Sequence, residues 1–276
     1  MLVVMVVLGA AVLHATWNAM AHGAPDRVAG LALFELTAGV IGLAAVIYSG
    51  LPPDGTWGYI IASSVLHLAY LTGLLVSYQL GQFSQMYPLA RGTSPWVVAV
   101  VSIVVLHQSL AVVELVGVLL ISAGLIALVF IGRPGRRQVP ALLAAVATGL
   151  TIATYTVVDG LAVQKVPVLT YMGWIFMTQG FIMPLVVLAW RGPSVLRQPR
   201  SAVLSGLGGG VVSMVAYGLV LWAQTRGTLA AIAALRETSI IFGAIIGAIF
   251  FGERFGPRRA IAAAVVVAGI VLISTS

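Results

Sequence analysis

Two arginines in this 276-residue sequence stand where a charge needs a reason. Arg91 and Arg236 lie inside long apolar runs, in Arg91-Gly-Thr-Ser94 and Arg236-Glu-Thr-Ser239. A charge buried in a bilayer costs from a few to roughly ten kcal/mol, so each must pair with an acid or hold a ligand. Two guanidinium groups flanking one cavity would grip an anionic group such as a carboxylate through forked hydrogen bonds. Glu237 and Glu35 supply matching negative charge, and a pair that breaks as the cavity changes access would act as a gate. Asp159 joins them as an ion-pair or coupling residue.

Further polar stripes follow helical spacing. His14, Trp17 and Asn18 fall at i, i+3 and i+4 and share one face, which fits a cavity wall. His67, Tyr70, Leu74 and Tyr78 repeat the pattern, as do Thr151, Tyr155 and Asp159; Tyr171, Trp174 and Thr178; and Tyr217, Leu221 and Gln224. Imidazole ordinarily titrates near neutral pH, so His14, like Glu35, is a candidate proton carrier. Trp57, Trp190 and Tyr48 sit near run ends and read as interfacial anchors. Gly206/Gly210 and Gly243/Gly247 are small-residue pairs suited to close helix packing.

The elements that position these residues follow from composition. Hydrophobic residues make up 61% and charged residues 8%, with a mean hydropathy of +1.10. Soluble domains run nearer half apolar and a quarter charged, so the solvent for most of this chain is a bilayer, and disorder is excluded. The net charge of +7 comes from cations scattered between apolar runs, which build no basic groove for nucleic acid. There is no cysteine, hence no disulfide and no thiolate metal site. The first run has no basic segment ahead of it and carries His14, Trp17 and Asn18, unlike a cleaved signal peptide. Ten spans are predicted, at 2–20, 28–48, 57–78, 85–106, 112–131, 140–159, 168–190, 202–224, 229–251 and 257–274. Pro88 and Pro95 interrupt the fourth, where they would kink a gate or line the cavity.

The two halves look like copies. At one offset of 145 residues, Gly73-Leu-Leu-Val-Ser-Tyr-Gln79 lies over Gly218-Leu-Val-Leu-Trp-Ala-Gln224, Arg91-Gly-Thr-Ser94 over Arg236-Glu-Thr-Ser239, and Gln108 over Glu253. An offset of 138 pairs Ala15-Thr-Trp-Asn18 with Ala153-Thr-Tyr-Thr156. Five crossings leave the chain on the opposite side, so a second copy inserts upside down. The predicted fold is therefore an all-α membrane protein of ten transmembrane helices. It is read as two inverted-topology five-helix repeats, 1–131 and 140–276, joined by a basic linker at 132–139 around a central cavity. Arg27, Arg133, Arg136, Arg137, Arg191, Arg197, Arg200, Arg254, Arg258 and Arg259 fall in one set of loops, against Lys165 and Arg226 in the other. The positive-inside rule places the first set in the cytoplasm and both termini outside, in a cell (inner) membrane.

This layout resembles the drug/metabolite transporter superfamily, and within it the EamA-type ten-span permeases. The Arg-x-Thr-Ser pair, the turn Gly252-Glu253-Arg254, Leu13-His-Ala-Thr-Trp-Asn-Ala19 and Tyr87-Pro-Leu-Ala-Arg-Gly-Thr-Ser-Pro95 carry the resemblance. It implies a basket of ten helices around a central cavity that moves metabolites such as amino acids, often outward. Spans one, three, four, six, eight and nine would line that cavity. Two departures matter. His107-Gln108 replaces the usual Gly-Glu turn in the first half, and His14 stands where the small multidrug-resistance branch has an essential Glu.

The function expected is a secondary transporter, and an exporter, of a small metabolite such as an amino acid. The alternative is a flippase for a lipid-linked sugar, or an amphipathic drug exporter, using the same basket. No enzyme motif, carbonyl filter or charged ring appears in the sequence. The expected substrate-cavity residues are His14, Trp17, Asn18, His67, Tyr70, Tyr78, Arg91, Tyr155, Trp174, Tyr217, Gln224 and Arg236. Glu35, Glu237 and Asp159 are the expected pairing or coupling residues. No cofactor or metal is expected. The partners expected are a small-molecule substrate and the lipid bilayer, without nucleic acid, for a monomer or weak homodimer.

Overall fold

The computed structural model describes residues 1–22, 26–80, 83–127, 139–250 and 257–275. The described residues are mostly helical, with no strand among them. In hydrocarbon each backbone N–H and C=O must be satisfied within its own segment, and long apolar runs meet that demand as helices. In chain order they are α1 (Leu2–His22), α2 (Arg27–Ser49), α3 (Trp57–Leu80), α4 (Phe83–Val104), α5 (Val112–Ala127) and α6 (Val139–Ala162). Then come α7 (Val168–Arg191), a short 3-10 turn (Pro193–Leu196), α8 (Arg200–Gln224), α9 (Leu229–Arg236), α10 (Ser239–Phe250) and α11 (Pro257–Thr275). Five of them, α1, α2, α6, α7 and α8, are long and apolar enough to cross a bilayer on those grounds alone. Residues 132–138 of the basic linker and the Gly252-Glu253-Arg254 turn lie outside the described residues, and Val139 already begins α6.

One expected run is broken. The ninth span divides into α9 and α10 at Glu237-Thr238, although it has no proline, while α4 runs on through Pro88 and Pro95 without interruption. At the break the backbone tightens to i→i+3 bonds, from Glu237 N to Ala234 O (3.1 Å) and from Thr238 N to Leu235 O (3.2 Å). The Thr238 hydroxyl donates to Leu235 O as well, at 2.7 Å. The turn sets Arg236 and Glu237 side by side within the protein interior, 4% and 0% exposed.

Small residues set the helix crossings. A Cβ built on Gly39 of α2 would stand 2.8 Å from the Gly180 Cα of α7, and one on Gly42 would stand 2.6 Å from Met177 N. Rising numbers on α2 meet falling numbers on α7, so these helices cross antiparallel. The pair α5 and α11 does the same: Gly117 abuts Gly269 and Ile273, and Gly124 abuts Ala262 and Val266. Helices α3 and α6 are also antiparallel, with Gly73 against Thr148 and His67 stacked on Tyr155. Of the expected small-residue pairs, Gly206 and Gly210 do pack, against Leu33 and Thr37 of α2. Gly243 meets nothing within 4 Å among the described residues, and the side-chain position of Gly247 lies outside them.

Candidate functional site

A cavity of about 90 Å³ lies at the centre of the bundle. Nine of the residues expected from sequence line it: His14, Trp17, Glu35, His67, Tyr70, Arg91, Tyr155, Tyr217 and Arg236. They come from α1, α2, α3, α4, α6, α8 and α9, and α7 adds Ile175, Phe176 and Gln179. Small-molecule sites commonly enclose about 300–1,000 Å³, so this space is smaller than most of them.

The arginines converge on one carboxylate. Arg91 Nε approaches Glu237 Oε2 at 3.1 Å as an ion pair, and its Nη1 donates to Oε1 at 3.3 Å. Arg236 donates to Glu237 Oε1 from both Nε and Nη2, each at 3.3 Å. Arg236 Nη2 also reaches Thr156 Oγ1 at 3.4 Å, and Arg91 Nη2 reaches Ser239 Oγ at 3.5 Å. Arg91, Arg236 and Glu237 are each at most 4% exposed. Two guanidinium groups and one carboxylate give this cluster a formal charge of +1, and Glu35 is a further acid on the same cavity.

His14 belongs to the same cluster, with Arg91 Nη2 donating to its Nε2. Trp17 Nε1 lies 3.2 Å from His14 Nδ1. Arginine and indole only donate, and neutral imidazole has one acceptor nitrogen, so the two donors compete for it. The imidazole here is therefore engaged as an acceptor for its neighbours.

A second polar centre surrounds Asp159, which is 1% exposed on α6. Ser63 Oγ of α3 donates to Asp159 Oδ1 at 2.6 Å, and Tyr171 OH of α7 donates to the same oxygen at 2.7 Å. Tyr217 OH of α8 donates to Oδ2. Asp159 makes no ion pair among the described residues; a cage of three hydroxyls surrounds it. His67 joins through Ser63, with Nδ1 at 2.9 Å from Ser63 O and 3.2 Å from its hydroxyl. Glu35 is not ion-paired either among the described residues. It lines the cavity with a buried Oε2 that has no hydrogen-bond partner among the described residues, and Gln179 does so with its Nε2.

Three expected cavity residues lie elsewhere. Trp174 packs edge-on against Trp57 with ring centroids 4.8 Å apart, and its Nε1 donates to Gly50 O at 3.2 Å. It sits in the second turn of α7, beside the helix ends, so it is part of an end-of-helix aromatic pair. Asn18 turns back to donate to His14 O at 2.7 Å. Gln224 ends α8, where its Nε2 meets Thr156 O at 3.4 Å and its own carbonyl accepts from Gln164 Nε2 at 2.9 Å. The side chains of Tyr78 and Leu74 lie outside the described residues. Sequence reasoning missed Ser63, Gln179 and Ser239. It placed Tyr171 on a polar stripe without assigning it to the site. Short hydroxyl and amide side chains in a helix give no signal until the neighbouring helix is known.

An all-helical bundle of apolar segments around a buried polar cavity defines a multi-pass membrane protein. Residues 139–275 match the EamA-like transporter family. The chain belongs to that family, part of the drug/metabolite transporter superfamily, and so to the membrane transporters of small molecules. A solved structure titled only as the crystal structure of a protein has the same fold. Its TM-score is 0.81 over 99% of this chain and 98% of that one, at 19% identity. No curated protein matches the sequence.

Proposed function

We propose that this chain is a secondary transporter, and an exporter, of a small carboxylate-bearing metabolite, with amino acids as the leading class. The observation that carries it is the shared carboxylate: Arg91 and Arg236 spend their charge on Glu237 and retain a net +1 beside the cavity. An anionic group entering there completes the charge balance and offers the forked acceptor that guanidinium prefers. The unpartnered Glu35 Oε2 and Gln179 Nε2 on the same cavity provide an acceptor and a donor for a second polar group, as an amine-bearing acid requires.

Alternating access of two inverted repeats, 1–131 and 140–276, is the proposed motion. Antiparallel crossing of the corresponding helices α2 with α7, and α5 with α11, supports it. So does the reciprocal packing of α1 on α8 and α3 on α6. Arginine enrichment in one set of loops supports a cytoplasmic position for that set and external termini. The test is uptake into liposomes containing the purified protein, with a panel of amino acids and their deaminated analogues. Accumulation or exchange of any carboxylate supports the proposal, and an inert protein across the panel removes it.

A second reading, export of amphipathic molecules entering from the lipid, has its own observation. A wholly apolar groove of about 480 Å³ is lined by Ile41, Met172, Met214 and neighbours on α2, α7 and α8. Those three side chains pack on Phe176 and Tyr217 of the cavity wall. Uptake of a long-chain amphiphile in preference to its short-chain analogue would favour this route.

A further inference from the structure

We infer that Arg236 presents the guanidinium edge that takes a carboxylate, while Arg91 is committed to the protein; the inference rests on the carboxylate reading above. Both arginines line the cavity, so lining does not choose between them. Their hydrogen bonds do.

Arg91 reaches across from α4 and meets the Glu237 carboxylate head-on. Its Nε faces Oε2 at 3.1 Å and its Nη1 donates to Oε1 at 3.3 Å, so each nitrogen has its own oxygen. Its Nη2 is held by His14 Nε2 and by Ser239 Oγ, the latter at 3.5 Å. All three nitrogens are thus taken, and the forked pair is neutral as a unit.

Arg236 immediately precedes Glu237, and successive side chains of a helical turn do not face each other. It reaches the acid from the side, with Nε and Nη2 both on the single oxygen Oε1, each at 3.3 Å. Nη2 also meets Thr156 Oγ1 at 3.4 Å. Nη1 makes no hydrogen bond among the described residues, and they do not seal it off. The Tyr155 ring, 5.7 Å from Cζ and itself stacked on His67, braces the guanidinium.

The edge formed by Nη1 and Nη2 is therefore open to a ligand at small cost. Nothing holds Nη1, and Nη2 gives up only a contact to a neutral hydroxyl that is longer than an ordinary hydrogen bond. Thr156 keeps its own bond, donated to Ile152 O at 2.7 Å, when that contact goes. A carboxylate puts one oxygen on each nitrogen. A carboxamide of the same shape cannot, because its NH2 would meet a donor. Glu35, the other acid on the cavity, makes no ion pair with Arg236 among the described residues and so does not occupy this edge.

The sequence shows why one acid serves two arginines. At the offset of 145 that overlays the two motifs, Gly92 stands where Glu237 does. A Cβ on Gly92 would lie 2.9 Å from Leu125 Cβ and 3.1 Å from Ile126 Cγ1 on α5, which leaves no room for an acid. The cluster is left with one cation more than it can pair, and the bonding gives that surplus to Arg236.

The test uses the full chain in liposomes and glyoxal, which closes a ring across the two terminal nitrogens of a guanidinium. Mass spectrometry reads the labelling of each arginine, with the exposed Arg197 as internal reference. Arg236 should react at least about 10-fold faster than Arg91, whose edge is held by charged hydrogen bonds. Acetate should protect Arg236, acetamide at the same concentration should not, and neither should change Arg197. Thr156→Val removes the competing hydroxyl and should lower the acetate needed for half-protection several-fold. The inference is overturned if Arg91 reacts as fast as Arg236, if acetamide protects as well as acetate, if acetate protects neither arginine, or if Thr156→Val leaves half-protection unchanged. Acetate protection of Arg236 without flux of any carboxylate removes the transporter reading and keeps the site. Flux of a carboxylate with Arg91 as the protected arginine does the reverse.

Discussion

Arg91 on α4 and Glu237 at the α9–α10 break form a 3.1 Å ion pair in which the side chains are 2% and 0% exposed. With Arg236 sharing the same carboxylate, charge counting ranks the variants. Glu237→Ala leaves two buried guanidinium groups with no acid, and breaking a buried pair in this way costs about 3–5 kcal/mol. Arg236→Ala leaves Arg91 and Glu237 as a balanced pair and should cost much less. Thermal unfolding in detergent, followed by monodispersity, should show a far larger loss for Glu237→Ala. Equal losses would mean that shape, and not charge balance, holds this centre.

Arg236→Lys separates charge from geometry. Lysine keeps the cation but loses the fork that reaches Glu237 and Thr156 together. Hydrogen bonds to charged groups contribute about 1.5–3 kcal/mol, so flux of a carboxylate substrate should fall about 10–100-fold. Liposome uptake checks it, with thermal stability measured in parallel. An unchanged rate would remove Arg236 from the transport site.

Gly180→Ala tests the seam between α2 and α7. Its Cβ would stand 2.3 Å from Gly39 Cα and 2.4 Å from Glu35 O, backbone that cannot rotate away. Overpacking typically costs about 1–3 kcal/mol, and here it also pushes apart the helices that hold Glu35 and Gln179 at the cavity. A melting temperature several degrees lower is expected, while Gly9→Ala, with nothing within 4 Å among the described residues, should be neutral or better. A neutral Gly180→Ala would show that the crossing yields.

How much of this was readable beforehand follows from what each signal encodes. Arg91, Arg236 and Glu237 were conspicuous because a charge in an apolar run is expensive, and the cost does not depend on fold. Asp159 stood out for the same reason, but its three hydroxyl partners come from three other helices and have no common spacing. Trp174 shows the limit of helical periodicity: the stripe gave its face but not its depth, and depth placed it beside Trp57. The break at Glu237 lacks the proline or glycine that would mark it. It is shaped by the tertiary demand that Arg236 and Glu237 both reach the centre.

Asp26 carries two separable jobs at the start of α2. Its Oδ1 accepts from the backbone N–H groups of Val28 (3.0 Å) and Ala29 (3.2 Å), capping the helix. Arg191, at the end of α7, donates to the same carboxylate with Nη1 2.7 Å from Oδ2. The ion pair is more than a third exposed on both sides, so it contributes at most about 1 kcal/mol. A lost cap costs about 0.5–2 kcal/mol, and asparagine caps as well as aspartate. Asp26→Asn should therefore match Arg191→Ala in a small, salt-sensitive loss of thermal stability, and Asp26→Ala should fall clearly below both. If Asp26→Asn is as damaging as Asp26→Ala, the link between α2 and α7, and not the cap, is what Asp26 supplies.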